Sequence, residues 1–253
     1  MLKSIAFCAC ALLAITAATS IPQDTIKPVV IVLVGPPGSG QGVLAIKTAN
    51  LLSIPHLSTA KLIQDLLYQE TAMSQKAHDY LSSGEEIPDS FISEILQERI
   101  KTTEHFSRGF LLSGIPRTID QAQELENILN DQYKLIVISI SIPDTILLLR
   151  DEGRLICQNC GRVYHKQFSP PVNAMSCDFC RNTLTQRYDD SPETIRRKLD
   201  DHRKNLNPVL QFYKEHGTLM EVNGDCPLET TFEEIQKCYN ACIPTAEYAF
   251  LND

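Results

Sequence analysis

The chain has 253 residues, 43% hydrophobic and 21% charged, enough apolar material for one α/β domain with a good core and a small inserted subdomain, which excludes disorder as the default. A formal charge of −8 at pH 7 gives no electrostatic footprint for nucleic acid or for a membrane surface. No internal repeat and no long low-complexity run interrupts it.

Residues 1–20, MLKSIAFCACALLAITAATS, carry one early lysine (Lys3), an apolar run from Ile5 to Ala18 and small residues before Ile21. This reads as a secretory signal, with cleavage after Ala18 or Ser20. The run is short for a bilayer span; an uncleaved anchor and an apolar tail are the alternatives. A working signal makes the protein periplasmic or secreted, with no stable membrane insertion after cleavage. Without one it is cytoplasmic.

KPVVIVLVGPPGSG is a continuous β-branched run ended by Gly35, the pattern of a buried parallel strand entering a tight turn, and a helix is expected from about Gln41. Residues 51–103 read as helical throughout, with Leu62, Ile63, Leu66 and Leu67 on one face and Phe91, Ile92, Ile95 and Ile100 on another. GFLLSGIPR and KLIVISISI are further strands, followed by helices over Ile119–Leu129 and Asp144–Asp151. From about Gly153 to Asp190 the composition shifts to Cys, Asn, Gly, Pro and aromatics, marking a small inserted lobe. A long helix follows, with Ser191 as its cap and Pro192 in its first position; GTLMEVNG is the last strand and PLETTFEEIQKCYNAC the closing helix. Strands alternating with helices predict a parallel sheet covered on both faces.

GPPGSGQG carries chemistry. Gly35, Gly38, Gly40 and Gly42 let successive N–H groups turn inward around Ser39, and the following helix offers its positive end to phosphate. A glycine-rich turn without a ligand is the bland alternative. The seventh residue is Gln41, where such loops carry lysine, and Val43 stands in the usual hydroxyl position.

Cys157-x2-Cys160 and Cys177-x2-Cys180, sixteen residues apart, have the spacing of a four-thiolate zinc site, structural because no ligand position stays open. After export the same thiols could instead pair as disulfides. Cys238 and Cys242, one helical turn apart, read as ordinary small buried residues.

GPPGSGQG, HLSTAKLI, FLLSGIPRTIDQAQEL, GRLICQNCGRVYH and QRYDDSPETIRRKL, in this order and spacing, resemble the adenylate kinases with a zinc-bearing lid, from about Val29 to Gly224. The resemblance implies a P-loop NTPase-type parallel sheet with helices on both faces. Its core would comprise 29–56, 104–152 and 191–242, its monophosphate-binding arm 57–103 and its lid 153–190. It also implies phosphoryl transfer from ATP with magnesium to AMP, a structural zinc, adenine nucleotides as partners and a monomer.

By the same resemblance, Gly38, Ser39, Gly40, Gln41, Gly42, Val43 and Arg150 hold ATP. Arg117, Arg154 and Arg187 act on the transferring phosphoryl group. Thr59, Gln64, Arg117, Gln121 and Lys198 occupy substrate positions, with Gln121 reading the adenine. The departures are specific. Besides Gln41 and Val43, Ser113 stands where the family has a magnesium-orienting aspartate, and Ala60 and Lys61 replace a Gly-Asp pair. Gln64 replaces an arginine on the AMP phosphate, and Lys198 a lid arginine, giving up a bidentate fork. Lys61 lies where its charge could make good the lost loop lysine. The departures leave two functions open: a phosphotransferase of weak activity, and a catalytically inactive nucleotide-binding or interaction protein on the same fold.

Overall fold

The computed structural model describes residues 27–83, 87–186 and 192–242. The N-terminal apolar run, Arg187 and the expected cap Ser191 lie outside the described residues.

β1 (Val29–Val34) is buried along its whole length. Its alternate residues feed two cores: Val30, Val32 and Val34 pack into one, Ile31 and Leu33 into the other. That is why the run is continuously apolar rather than alternating. After it come α1 (Gln41–Leu52), β2 (His56–Ser58), α2 (Thr59–Leu67), α3 (Ala72–Ser83) and α4 (Asp89–Thr102). Next are β3 (Gly109–Ser113), α5 (Ile119–Leu129), β4 (Lys134–Ser141) and α6 (Asp144–Glu152). The expected parallel sheet has the order β2-β3-β1-β4, closed by β8 (Leu219–Asn223). Helices cover both faces, as the two cores on opposite sides of β1 require.

The stretch read as helical throughout contains one exception. His56–Ser58 pairs in parallel with Leu111–Ser113 and forms an edge of the sheet. Three residues are too few to display a period of two, so this strand is a product of tertiary pairing.

The cysteine-bearing lobe is a separate antiparallel sheet of β5 (Arg154–Cys157), β6 (Val163–His165) and β7 (Leu184–Thr185), in the order β6-β5-β7. Its buried cluster is Leu155, Cys157, Tyr164, Cys177 and Leu184. So small a core cannot hold a lobe by itself. α7 (Pro192–Glu215) returns the chain, and α8 (Leu228–Cys242) closes it after β8. Among the described residues no helix is long and apolar enough to cross a membrane.

β1 lies between β3 and β4, so its two flanking strands lead in opposite directions across the sheet. A crevice at the carboxyl ends of the strands is the expected place for a ligand.

Candidate active site

The loop from Gly35 to Gly40 leaves β1 and enters α1. Gly38 (φ 83°) and Gly40 (φ 77°) are both left-handed, conformations that any other residue would occupy under strain, and Gly40 caps α1. Gly42 is different: a Cβ there would meet nothing within 4 Å, so its glycine answers no crowding within the chain. Ser39 is buried; its N–H donates to the Pro36 carbonyl at 3.1 Å and its Oγ accepts from the Gln41 N–H at 3.4 Å. Gln41 turns its side chain back on the strand, Nε2 donating to the Leu33 carbonyl at 2.6 Å. Val43 is 53% exposed and has no hydroxyl to offer.

This loop forms one wall of a cleft of about 1720 Å³. Arg117, Arg150, Arg154 and Lys198 line it together with Gly38–Val43, although they come from the β3–α5 turn, α6, β5 and α7. Arg117 is braced by its own Nε donating to the Gly114 carbonyl at 2.9 Å. Arg150 reaches across to the β8–α8 turn, Nη2 donating to the Gly224 carbonyl at 2.8 Å. Arg154, 22% exposed, is ion-paired through Nη1 with Asp151 Oδ1 at 3.0 Å.

Motif reading missed Asp151 and His202. Asp151 is 3% exposed, and its carboxylate oxygens lie 3.4 Å from where a Cβ on Gly38 would stand. An acid is thus held beside the phosphate loop, partnered by a cleft arginine. The i,i+3 spacing of Asp151 and Arg154 was its only sequence signal. His202 lines the cleft, and its pKa is lowered from 6.5 by burial and by the nearby Arg117 charge, against a hydrogen bond with the Gly35 backbone. Lys198, Asp201, His202 and Asn205 all line the cleft at helical spacing on α7, a pattern that could have been read as one face.

The residues expected on the monophosphate side belong to α2 and α5, and Thr59, Gln64 and Gln121 are not among those lining this cleft. Thr59 opens α2, and its Oγ1 is buried without a hydrogen-bond partner, an orphan that suits a ligand-facing hydroxyl. Gln121 is 4% exposed and tied to Arg117, Thr118 and Asp89. Asp89, at the first turn of α4, had no sequence signal because it lies 29 residues from Thr118. Gln64 is exposed on α2. Lys61 does not turn to the loop: its Nζ pairs with Asp65 at 2.7 Å, one helical turn away. Ser113 is buried at the end of β3, its Oγ 2.8 Å from His56 Nε2. Burial lowers the His56 pKa from 6.5.

The four lobe cysteines converge as free thiols, their sulfurs all within 4.8 Å of one another. Tetrahedral zinc at about 2.3 Å from each sulfur needs separations of about 3.8 Å, so the donors fit such an ion. The two knuckles share one backbone pattern: Gly161 N–H donates to Cys157 O and Arg181 N–H to Cys177 O, both at 2.9 Å. Burial pushes the Cys177 thiol up, but the Tyr164 hydroxyl and the Cys180 and Phe179 amides outweigh it and bring it to about 6.

A left-handed glycine loop between strand and helix, facing a cleft lined by arginines at the carboxyl edge of a parallel sheet, defines the P-loop class of nucleotide-binding α/β proteins. The family model for adenylate kinase matches residues 33–218. The chain is 38% identical over 210 residues to an adenylate kinase of Enterococcus faecalis, covering 82% of this chain and 97% of that protein. It is 37% identical over 209 residues to one of Listeria monocytogenes, covering 82% and 97%, and 36% identical over 212 residues to one of Clostridium perfringens, covering 83% and 97%. The chain belongs to the adenylate kinase family, with the P-loop α/β fold expected from its sequence.

Proposed function

We propose that the protein transfers a phosphoryl group from ATP to AMP, giving two ADP, at a rate below that of an ordinary family member. The bond from the γ-phosphorus to its bridging oxygen breaks, and a bond from an AMP phosphate oxygen to that phosphorus forms. Backbone amides of the loop to Val43 cradle the ATP phosphates, Arg150 stands at the base end, and Arg117, Arg154 and Arg187 supply donors for charge on the transferring oxygens. Thr59, Gln64, Gln121 and Lys198 serve the AMP side, and of these Lys198 lines the cleft with the phosphate loop. The observation carrying this reading is that Arg117, Arg150 and Arg154, from three separate elements, line one cleft with the phosphate loop.

The reduced rate follows from two side chains engaged elsewhere. Gln41 offers no charge and donates to Leu33; Ser113 is within hydrogen-bond distance of His56 and offers no carboxylate to orient magnesium. The residues at that place, Ser113 and His56, offer no carboxylate and do not fit a protein-held magnesium. Losing one preorganised donor reduces rate by about 10² to 10³, and paired losses are not additive, so a deficit of about 10³ to 10⁵ is expected. A coupled assay of ADP formation, beside calorimetric titration of ATP and AMP, tests this. Turnover of roughly 1 to 100 per second overturns the reduced-rate reading. Binding without turnover selects the second reading, an inactive nucleotide-binding protein, which the same engagement of Gln41 and Ser113 favours.

The lobe of 153–190 serves as the lid, stapled by structural zinc on Cys157, Cys160, Cys177 and Cys180. A monomer suffices, since one chain carries the whole cleft. Export rests on the apolar run from Ile5 to Ala18.

A further inference from the structure

The side-chain amide of Gln121 is gripped at both ends by partners that cannot exchange roles. The Arg117 backbone N–H, which only donates, meets Oε1 at 2.6 Å. The Asp89 carboxylate, which only accepts, takes a hydrogen from Nε2 at 2.6 Å. Thr118 completes the ring: its Oγ1 donates to the other Asp89 oxygen at 2.7 Å and accepts from the Gln121 backbone N–H at 3.3 Å.

A half-turn of a primary amide exchanges a donor for an acceptor at nearly unchanged shape. Here that turn would set N–H against N–H and carbonyl oxygen against carboxylate on a side chain only 4% exposed. Asp89 itself is exposed and keeps water, so the penalty falls on the buried Gln121 amide and disfavours the turned state by about five- to 150-fold.

We propose that Asp89 is a positioning residue for nucleobase choice: by fixing the polarity of the Gln121 amide, it sets the monophosphate site to accept a 6-aminopurine and reject a 6-oxopurine. This rests on the reading that Gln121 meets the AMP base. Beyond its two anchors the amide retains one N–H and one oxygen lone pair. Adenine presents N1 as acceptor and its 6-amino group as donor, the complement of that pair. A 6-oxopurine presents O6 as acceptor and N1–H as donor, the complement of the same amide turned over. The two bases therefore differ by the one rotation that Asp89 and the Arg117 N–H oppose. Sites whose buried polar groups are left unpaired by the wrong substrate discriminate strongly.

The test is calorimetric titration of the full chain with AMP and with inosine monophosphate, for the unmodified protein, Asp89→Asn and Asp89→Ala. The unmodified protein should prefer AMP. Asp89→Asn keeps the shape but can turn its own amide together with Gln121, and should lower the AMP-to-inosine preference by about tenfold. Asp89→Ala should lower it as far; if that variant does not fold, the isosteric one decides alone. A purely structural role at the start of α4 would weaken both nucleotides by the same factor. An unchanged ratio therefore overturns the proposal while the AMP reading stands. Equal binding of the two by the unmodified protein, or none, removes the reading of Gln121 and the proposal with it.

Discussion

Gln41 is a cation position filled by an amide with a partner of its own. Gln41→Lys gives up the bond to the Leu33 carbonyl, a net loss of about 0.5–1.5 kcal/mol, and places a charge at the phosphates. ATP affinity should rise by about tenfold, and the gain in kcat should stay smaller while Ser113 still leaves the second loss in place, because the two losses are not additive. Adding Ser113→Asp should raise kcat further, by supplying the missing magnesium anchor; steady-state kinetics of the single and double variants check both steps. The two histidines give a pH signature. His56 and His202 both have pKa values lowered from 6.5, so below 6.5 the unfolded chain binds protons that the folded chain resists. Their contribution to stability is present above 6.5 and is lost as the pH falls toward the lowered folded values. Melting temperature should therefore drop between about pH 7 and pH 5, with a shallower slope in His202→Asn. An identical slope in that variant excludes His202 as a source.

At the scale of elements, the antiparallel lobe depends on what its sulfurs hold. With Leu155, Tyr164 and Leu184 as the apolar share of its buried cluster, the lobe has little core of its own, and the proposed zinc would supply most of its stability. Metal analysis of protein purified without chelator should find about one zinc per chain. Chelation should then expose the lobe to proteolysis between β5 and β7 while the far-ultraviolet signal of the parallel core stays unchanged. Protease resistance that survives chelation and falls only under thiol reductant would assign the lobe to disulfides instead. Replacing Cys177 with serine loosens the lobe on either chemistry, so the metal count decides.

At the scale of the whole molecule, the cleft exists because β1 sits between strands that lead apart, with α6, α7 and the β8–α8 turn closing over its end. Core truncation beneath it should be costly: Leu111→Ala, fully buried in the sheet, should lose about 2–5 kcal/mol in urea unfolding. Compartment is a property of the whole chain too. The cellular protein should begin near residue 19 or 21, by N-terminal sequencing. Intact Met1 on a cytosolic form would remove the export argument and with it the oxidising setting for the lobe.

The sequence by itself determined four strands of the parallel sheet and the helices that follow them, the glycine loop, the cysteine knuckles and the family, because each rests on residues adjacent in the chain, where period, turn chemistry and short spacing are visible; β2 and the three lobe strands were not among them. The helix bounds Ile119–Leu129 were legible for this reason. Tertiary structure alone decided whatever depends on partners far apart in sequence. β2 is a strand only because β3 lies beside it. Gln41 faces Leu33 and Lys61 faces Asp65, rather than the phosphates, because side-chain direction follows rotamer and neighbour, which spacing does not encode. Asp89 reaches Gln121 across 32 residues, through the packing of α4 against α5, and no local pattern marks a contact that only the folded chain brings together.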